Sequence, residues 1–375
     1  MADLSRRAWP VRRRPASAAD VPPSPPLPDQ PSSPVQSLVP DEPIQSLAPD
    51  EPPDAMPDDD PPPRFNLAVV RLAALGLALV LTASIMLVRL FVGGPPSVEE
   101  LRAQAGVENW SELRIGVKDD QPGTAYLKDG VWSGFDIDIA YMIAEDLGFR
   151  RSEVRFYGME SEDRARMQAT GADGRRVPVK MVIASYSITS AREAMTGVTF
   201  SAPYLFTEQS VLTLAGHSQV SALEDLAGRE VCTLSTSTSA AAPQRAGAVV
   251  RSKNRVSECI DELRAGEVDA VSTDAAILAG YKAQSPDEFA HWDLGLDTTE
   301  AWGVNVGENQ ALKQLVDLTL YRSLKDPADD RWEVAYKDNL QSEEPANAGT
   351  PIAQAQQPDV PKPDVREQPW ENVFP

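Results

Sequence analysis

The chain has 375 residues and a formal net charge of −21, because 56 Asp and Glu outnumber 35 Lys and Arg. This acidity argues against nucleic acid as a partner, since contacts with phosphates require a cationic surface. No pattern in the sequence indicates a cofactor or a metal, and we expect neither.

The two ends of the chain differ in composition from the rest. Of the 33 prolines, 18 precede Asn66 and 7 follow Gln341. Residues 1–66 and 341–375 carry few large apolar side chains, so they cannot bury enough surface to offset the entropy cost of ordering. We predict that both tails are disordered, and that the Pro-rich N-terminal tail is a solvated linker rather than a docking motif.

An apolar segment follows the N-terminal tail. Between Arg71 and Arg89 lie 17 uncharged residues without the polar face that a core helix would show. At ~1.5 Å per residue this stretch is slightly shorter than a ~30 Å hydrocarbon core, but flanking arginines can snorkel to the surface. We predict a transmembrane helix over 67–92 that stays as an uncleaved anchor rather than being removed as a signal peptide.

The basic residues on either side predict the orientation of this helix. Seven arginines precede the apolar core: Arg6, Arg7, Arg12, Arg13, Arg14, Arg64 and Arg71. By the positive-inside rule, the tail 1–66 stays in the cytoplasm and the C-terminal part is extracytoplasmic. The sequence therefore predicts a single-pass protein of the cell membrane.

Strands alternate with helices over 97–340, which predicts α/β layers with mainly parallel sheets. The clearest segments are a strand at 113–117, a helix capped by Asp136 and ended by Gly148, a strand at 268–272 and a helix from Asp274. Residues 97–340 contain 25 Lys and Arg against 39 Asp and Glu. An anionic ligand would therefore need local cations to hold it.

The chain has two cysteines, Cys232 in a predicted strand and Cys259 in a predicted helix. Both lie in the exported part, where disulfides persist. A bridge would close a loop of roughly 27 residues and contribute ~3 kcal/mol in the chain-entropy model. Two buried thiols would also fit the count, but the location favours the bridge.

Two stretches carry a family resemblance, GFDIDIA at 134–140 and ASYSITSAREAMTGVTFSAPY at 184–204. The second has hydroxyl groups at a strand end followed by an Arg, an arrangement that suits an α-carboxylate. Together they resemble the bacterial extracellular solute-binding proteins of family 3, in particular the glutamate- and glutamine-binding proteins of amino-acid ABC transporters of the actinobacterial type. A nucleophilic serine would need a neighbouring base, and no serine of the sequence lies in a G-x-S-x-G motif, which argues against a serine hydrolase.

The resemblance covers about 113–340 and implies the two-lobed type II periplasmic-binding-protein fold, an α/β fold with two crossover strands. It implies a solute-binding domain over 97–340. The first lobe would take about 109–206 and 300–340, and the second about 210–297. The two cysteines also match a pair found in glutamate-binding members of the family.

The resemblance also implies a ligand set. Arg192 matches the Arg that takes the ligand α-carboxylate, with Ser185 and Ser187 completing that site. Asp274, beside Thr273, matches the Asp that pairs with the α-ammonium, although an Asp before a helix is also an ordinary N-cap.

Two further groups belong to the implied site. Ser237 and Thr238 occupy the family's G-S-T loop, in which Thr236 replaces the Gly. Tyr186 or Tyr157 would replace the aromatic that often stacks on the ligand, because Gln121 aligns there.

The preference for the ligand side chain depends on Lys118 and Arg164. Lys118 lies in a segment that resembles the I-K-x-D-Q-P-G loop of glutamate binders, and Arg164 falls where binders of acidic amino acids show E-N-R. Two cations would favour glutamate or aspartate over the amides, because a buried carboxylate without a partner is costly. The alternative is that both are solvated charges near acidic neighbours.

Three functions are compatible with this pattern. The first is a membrane-anchored binding protein that delivers an amino acid to an ABC permease, and we favour it. The second is an amino-acid-sensing receptor that signals to a membrane partner and an intracellular kinase, which the cytoplasmic tail would suit. An enzyme is the least favoured, because no acid–base pair stands apart from the ligand set.

Overall fold

The computed structural model describes residues 66–91, 94–295 and 299–366. The chain divides into two units, 1–71 and 72–375. A long helix, α1 (Leu67–Phe91), occupies the described part of the first unit and continues into the second. Its stretch Leu67–Val88 is long and apolar enough to cross a membrane. Residues 1–65 of the predicted tail 1–66 and the last residues, 367–375, lie outside the described residues.

The remaining helices and the strands alternate along the second unit. The helices are α2 (Val98–Ala105), α3 (Phe135–Asp146), α4 (Ser190–Glu193), α5 (Ala241–Arg245), α6 (Val256–Ala265), α7 (Ala275–Gln284), α8 (Gln310–Lys325) and α9 (Arg331–Asn339). The strands are β1 (Leu113–Val117), β2 (Asp120–Gln121), β3 (Ala125–Lys128), β4 (Val131–Ser133), β5 (Val154–Gly158), β6 (Gln168–Thr170), β7 (Arg176–Pro178), β8 (Met181–Val182), β9 (Phe200–Leu214), β10 (Glu230–Leu234), β11 (Val249–Lys253), β12 (Ala270–Asp274), β13 (Phe289–Asp293) and β14 (Thr299–Asn305).

The main sheet has the order β11-β10-β12-β9-β14-β8-β1-β5, and β13 also pairs with β9. Strands β1, β5 and β8 are parallel at one end, and β10, β11 and β12 are parallel at the other. We call the part built on the former the first lobe and the part built on the latter the second lobe. The long strand β9 and its antiparallel partner β14 run from one to the other. The predicted α/β class with two crossover strands is thus confirmed, while the residue limits of the lobes stay a prediction.

The predicted disulfide is present. Cys232 in β10 and Cys259 in α6 are bridged, with 5.5 Å between their Cα atoms, and both side chains are buried. The bridge ties a helix to the parallel strand beneath it in the second lobe.

The prediction of a disordered C-terminal tail is wrong for 341–366. A 3₁₀ turn, Gln341–Asn347, follows α9, and an extended segment then runs over the domain. Ile352, Val360 and Val365 are only 3%, 1% and 7% exposed. A segment with few apolar residues cannot build a core of its own. This segment becomes ordered because it packs on a surface that the rest of the domain provides.

Candidate ligand-binding site

Strand ends from the two lobes meet at a small closed cavity. It is lined by Gln121, Arg164, Ser185, Ser187, Arg192, Leu234, Ser237, Thr238, Thr273, Asp274 and Ile277. Its volume is about 10 Å³, which is roughly the room for one water. Eight of the ten predicted ligand residues thus meet at one place, and the lobes are closed on each other.

Arg192 joins the two lobes at this cavity. It lies in the short helix α4, which Thr189 caps by accepting from the Arg192 backbone N–H at 3.2 Å. Its Nη1 donates to Ser187 O at 2.7 Å, and its Nη2 donates to Thr236 O of the second lobe at 2.8 Å. Arg has five N–H donors, so its guanidinium can still bind both oxygens of a carboxylate.

Arg164 brings a second guanidinium to the cavity. It lies in the 3₁₀ turn Ser161–Arg166 and donates to Ser161 O and Ser185 O, each at 3.1 Å. The guanidiniums of Arg164 and Arg192 lie 4.5 and 4.7 Å from the centre of the Tyr186 ring. Burial and the charge of Arg192 lower the pKa of Arg164 to about 10. Neither guanidinium forms an ion pair with another residue of the described ranges.

Asp274 ends β12 and occupies the N-cap position of α7, but its side chain makes no capping hydrogen bond. Instead its carboxylate accepts from Trp302 Nε1 at 2.6 Å and from Ser239 Oγ at 3.4 Å. Burial, together with the nearby Glu300, raises the pKa of Asp274 to about 7. A ligand cation would relieve this cost by favouring the ionised form.

A buried carboxylate, that of Asp136, holds the Ser185 loop, and the prediction that Asp136 caps its helix is wrong. The predicted N-cap, Asp136, lies within the first turn of α3, which Gly134 precedes at φ 119°. A side chain at Gly134 would place its Cβ 2.4 Å from Thr124 O, so only glycine fits at the residue before this helix. Asp136 accepts from the Ser185 N–H and the Tyr204 hydroxyl, each at 2.9 Å, and burial raises its pKa to about 6.

The second ligand loop keeps a glycine-like conformation although it carries a threonine. Thr236 has φ 58°, in the left-handed region. This conformation costs roughly 1–2 kcal/mol for a residue with a Cβ. The loop therefore keeps this geometry at a cost in conformational free energy. Ser237 Oγ caps the turn that follows by accepting from Ser239 N at 3.1 Å.

Lys118 and Tyr186 do not line the cavity. Lys118 is buried, and its Nζ donates to Ser161 Oγ at 2.9 Å, so it supports the turn that carries Arg164. Burial, and next the charge of Arg164, lower the pKa of Lys118 to about 7. It is not a solvated surface charge, and Arg164 is not one either.

Gln121 is a cavity residue to which the sequence reading gave no ligand role. Its Oε1 accepts from Ser185 Oγ at 2.9 Å and from Thr124 Oγ1 at 3.3 Å. Its buried Nε2 has no partner among the residues that the structure describes. The amide therefore offers a donor to an acceptor in the cavity. The D-Q-P-G segment was the available signal, since a fully buried Gln at a strand end needs partners.

Contacts outside the cavity also join the lobes. Arg255 donates to both carboxylate oxygens of Asp119, at 2.7 and 3.3 Å. Gly280 in α7 packs so closely that an added Cβ would lie 2.1 Å from Pro122 O. Closure thus depends on contacts beyond the ligand set.

Residues 113–326 match the family model of the bacterial extracellular solute-binding proteins, family 3. The chain belongs to this family. It is similar to the glutamate-binding protein GluB of Corynebacterium glutamicum, at 33% identity over 214 residues, 54% of this chain and 70% of that protein. The ABC transporter glutamine-binding protein GlnH of Bacillus subtilis is 30% identical over 244 residues, 62% of this chain and 82% of that protein.

A solved structure supports the same assignment. An ancestral arginine-binding protein bound to glutamine is 29% identical, with a TM-score of 0.54, and the match covers 61% of this chain and 98% of that one. The extracellular domain is therefore an amino-acid-binding member of family 3, with the type II periplasmic-binding fold. The family is one of solute-binding proteins.

Proposed function

We propose that the domain binds an acidic amino acid, glutamate or aspartate, and delivers it to an ABC-type amino-acid transporter. The observation that carries the proposal is the pair Arg164 and Arg192, two buried guanidiniums at one cavity without an ion-pair partner in the described ranges. Buried charges are normally paired, so an anionic ligand is the natural partner.

The roles follow from position. Arg192, with Ser185 and Ser187, takes the α-carboxylate, and Asp274, with Thr273, takes the α-ammonium. Ser237 and Thr238 contribute from the second lobe at the turn that begins there.

The far end of the ligand side chain would face Arg164 and the amide nitrogen of Gln121. Lys118 supports Arg164 through Ser161 and adds positive potential. Tyr186 lies against both guanidiniums and holds them in place.

The balance of charge favours an acidic ligand over its amide. Two guanidiniums and the carboxylate of Asp274 leave the lining with one excess positive charge. A bound glutamate carries one net negative charge and neutralises this excess, whereas glutamine leaves it uncompensated and arginine adds to it.

The closed cavity implies how the ligand is captured. A volume of about 10 Å³ holds no amino acid, so the lobes must separate for entry and close on the ligand. The crossover strands β9 and β14 are the connections about which this motion would take place.

We further propose that α1 tethers the domain to the membrane with the N-terminal tail in the cytoplasm, as the basic residues predict. The relatives named above support the transport role. The second candidate, an amino-acid-sensing receptor, is favoured by the long tail before α1. A gene neighbourhood with permease and ATPase genes would support transport, and one with kinase genes would support sensing.

Calorimetric titration of the full chain in detergent micelles tests the proposal. Glutamate and aspartate are expected to bind more tightly than glutamine, asparagine and arginine. Arg192→Ala should abolish the heat with every ligand, whereas Arg264→Ala, which removes a surface Arg paired with Glu288, should change nothing. Failure of all five amino acids to bind would overturn the proposal.

A further inference from the structure

The segment 341–366, which we call the strap, lies beyond the part that matches the family model and touches both lobes. Its first part is the 3₁₀ turn Gln341–Asn347, which packs between α9 of the first lobe and α7 of the second. The rest is extended. Its contacts define two ends and a middle.

Asn347 fixes the strap to the second lobe. Its Nδ2 donates to Ala279 O in α7 at 3.2 Å, and its Oδ1 accepts from His291 Nδ1 in β13 at 2.6 Å. His291 is buried, and its Nε2 lies 2.7 Å from the hydroxyl of Ser210 in β9. Thr350 adds a hydrogen bond to His291 O at 2.9 Å. These are buried, satisfied contacts, which are costly to break.

The middle of the strap crosses the strand that connects the lobes. Gln354 N donates to Phe206 O at 2.8 Å, and Thr207 Oγ1 donates to Ile352 O at 2.7 Å. Both partners belong to β9 where it pairs with β14. A rotation of the lobes about these strands would therefore occur directly beneath the strap.

The far end of the strap is held by the first lobe. Gln357 Nε2 donates to Leu320 O in α8 at 2.8 Å, and Arg366 N donates to Pro96 O at 2.9 Å. Ser97 pairs with Arg366 as an isolated bridge and begins the domain only six residues after α1 ends. The strap thus spans from α7 to the start of the exported domain.

The strap also touches elements that carry ligand residues. The buried side chain of Glu343 packs against the backbone of Gly123, two residues after Gln121, where an added Cβ would lie 2.3 Å from its carboxylate. Asn347 binds α7, the helix that Asp274 begins. One short segment therefore contacts the supports of both sides of the cavity.

We propose that the strap is a clamp across the hinge, with Asn347 and Gln357 as the positioning residues that hold its two ends. All its contacts are formed while the lobes are closed. Opening would move α7 away from α8, so the contacts at one end must break or stretch. The strap then favours the closed state and raises ligand affinity without touching the ligand, since affinity depends on the population of the closed form. This inference rests on the proposed binding function.

The test uses the full chain in micelles and releases each end of the strap separately. Asn347→Ala and Gln357→Ala should each weaken amino-acid binding about ten-fold, and the double variant should be no weaker than the more affected single variant, because a tether cut once no longer restrains. Asn339→Ala is the matched control, since the side-chain amide of Asn339 donates to Asp138 and to Ala335 O, both in the first lobe, and the backbone oxygen that Ser342 Oγ contacts is unchanged by the substitution. It should lower thermal stability and leave affinity unchanged.

A distance measurement makes the test independent of the ligand. Spin labels at Val131→Cys in the first lobe and Val249→Cys in the second report the separation of the lobes, since the native cysteines are bridged. Without ligand, the Asn347→Ala and Gln357→Ala proteins should show longer distances than the parent.

The outcomes separate the two proposals. Lower melting temperatures with unchanged affinity and distance would reduce the strap to a structural role and overturn the clamp, and so would additive losses in the double variant. If the parent binds no amino acid, the proposed function fails, and the distances alone decide the clamp.

Discussion

Lowering the pH should weaken the binding of every amino acid, because Asp274, the proposed partner of the ligand ammonium, loses its charge. The pKa of Asp274 is raised to about 7 by burial and by Glu300, against the opposing effects of Trp302, Arg192 and Arg164. A ligand ammonium favours the ionised carboxylate of Asp274, so the complex holds fewer protons than the ligand-free protein. The affinity therefore rises with pH until the pH reaches the pKa of Asp274 in the ligand-free protein. About two pH units below that value, the dissociation constant should be about 100-fold larger than on the plateau.

Raising the pH should weaken the binding of glutamate but not of glutamine. The pKa of Lys118 is lowered to about 7 by burial and by Arg164 and Arg255, and Asp120 and Asp119 oppose the shift. A ligand side-chain carboxylate favours the charged ammonium, so the complex holds more protons than the free protein above this pKa. The affinity for glutamate should then fall about ten-fold per pH unit until the pH reaches the pKa of Lys118 in the complex.

The assay is a titration of the full chain with glutamate and with glutamine from about pH 5 to about pH 9, a window that covers both free pKa values. Glutamate should give a bell-shaped profile and glutamine a rise to a plateau. Lys118→Met should remove the alkaline fall, and Asp274→Asn should remove the acid fall for both ligands. If the Asp274→Asn variant still loses affinity at low pH, the loss belongs to Asp136, and the assignment of Asp274 to the ligand ammonium is refuted. Identical pH profiles for glutamate and glutamine would refute the role given to Lys118.

Three further predictions concern the supports of the site. Asp136→Asn places an amide where two donors converge, so the free energy of unfolding by urea should fall by about 1–3 kcal/mol, and an unchanged value would contradict the role given to this carboxylate. Reduction of the Cys232–Cys259 bridge should lower the free energy of unfolding by urea by ~3 kcal/mol, and a loss smaller than the error of the urea titration would show that the bridge adds nothing. Gly280→Ala should weaken glutamate binding at least about ten-fold, about 1.4 kcal/mol, because a methyl group would hold α7 away from the first lobe. Gly216→Ala, at a glycine with open space around it, is the control and should bind as the parent does.

The fold class could be predicted because strands and helices alternate with clear apolar periods. The cluster around Arg192 could be predicted because its hydroxyl-rich strand end and its Arg lie close together in the sequence. The position of Asp274 could be predicted from its strand end, but its contact with Trp302 depends on the crossover strand β14 and has no local signal.

Other features needed the structure. Asp136 has the sequence pattern of a cap, and only the tertiary fold shows that it faces Ser185 from across the lobe. The position of Lys118 behind Arg164 depends on how the 3₁₀ turn is placed over β1. The strap lies in the tail that we predict to be disordered because it carries few large apolar side chains, and these become buried only against surfaces built by distant parts of the chain.

The most direct test of the central claim compares glutamate with glutamine by calorimetry on the full chain and on its Arg164→Gln variant. The account predicts that the parent prefers glutamate at least about ten-fold, or about 1.4 kcal/mol, and that the variant loses this preference or reverses it. A parent that prefers glutamine, or a variant that keeps the preference for glutamate, would contradict the assignment of Arg164 to the ligand side chain and with it the acidic-ligand proposal.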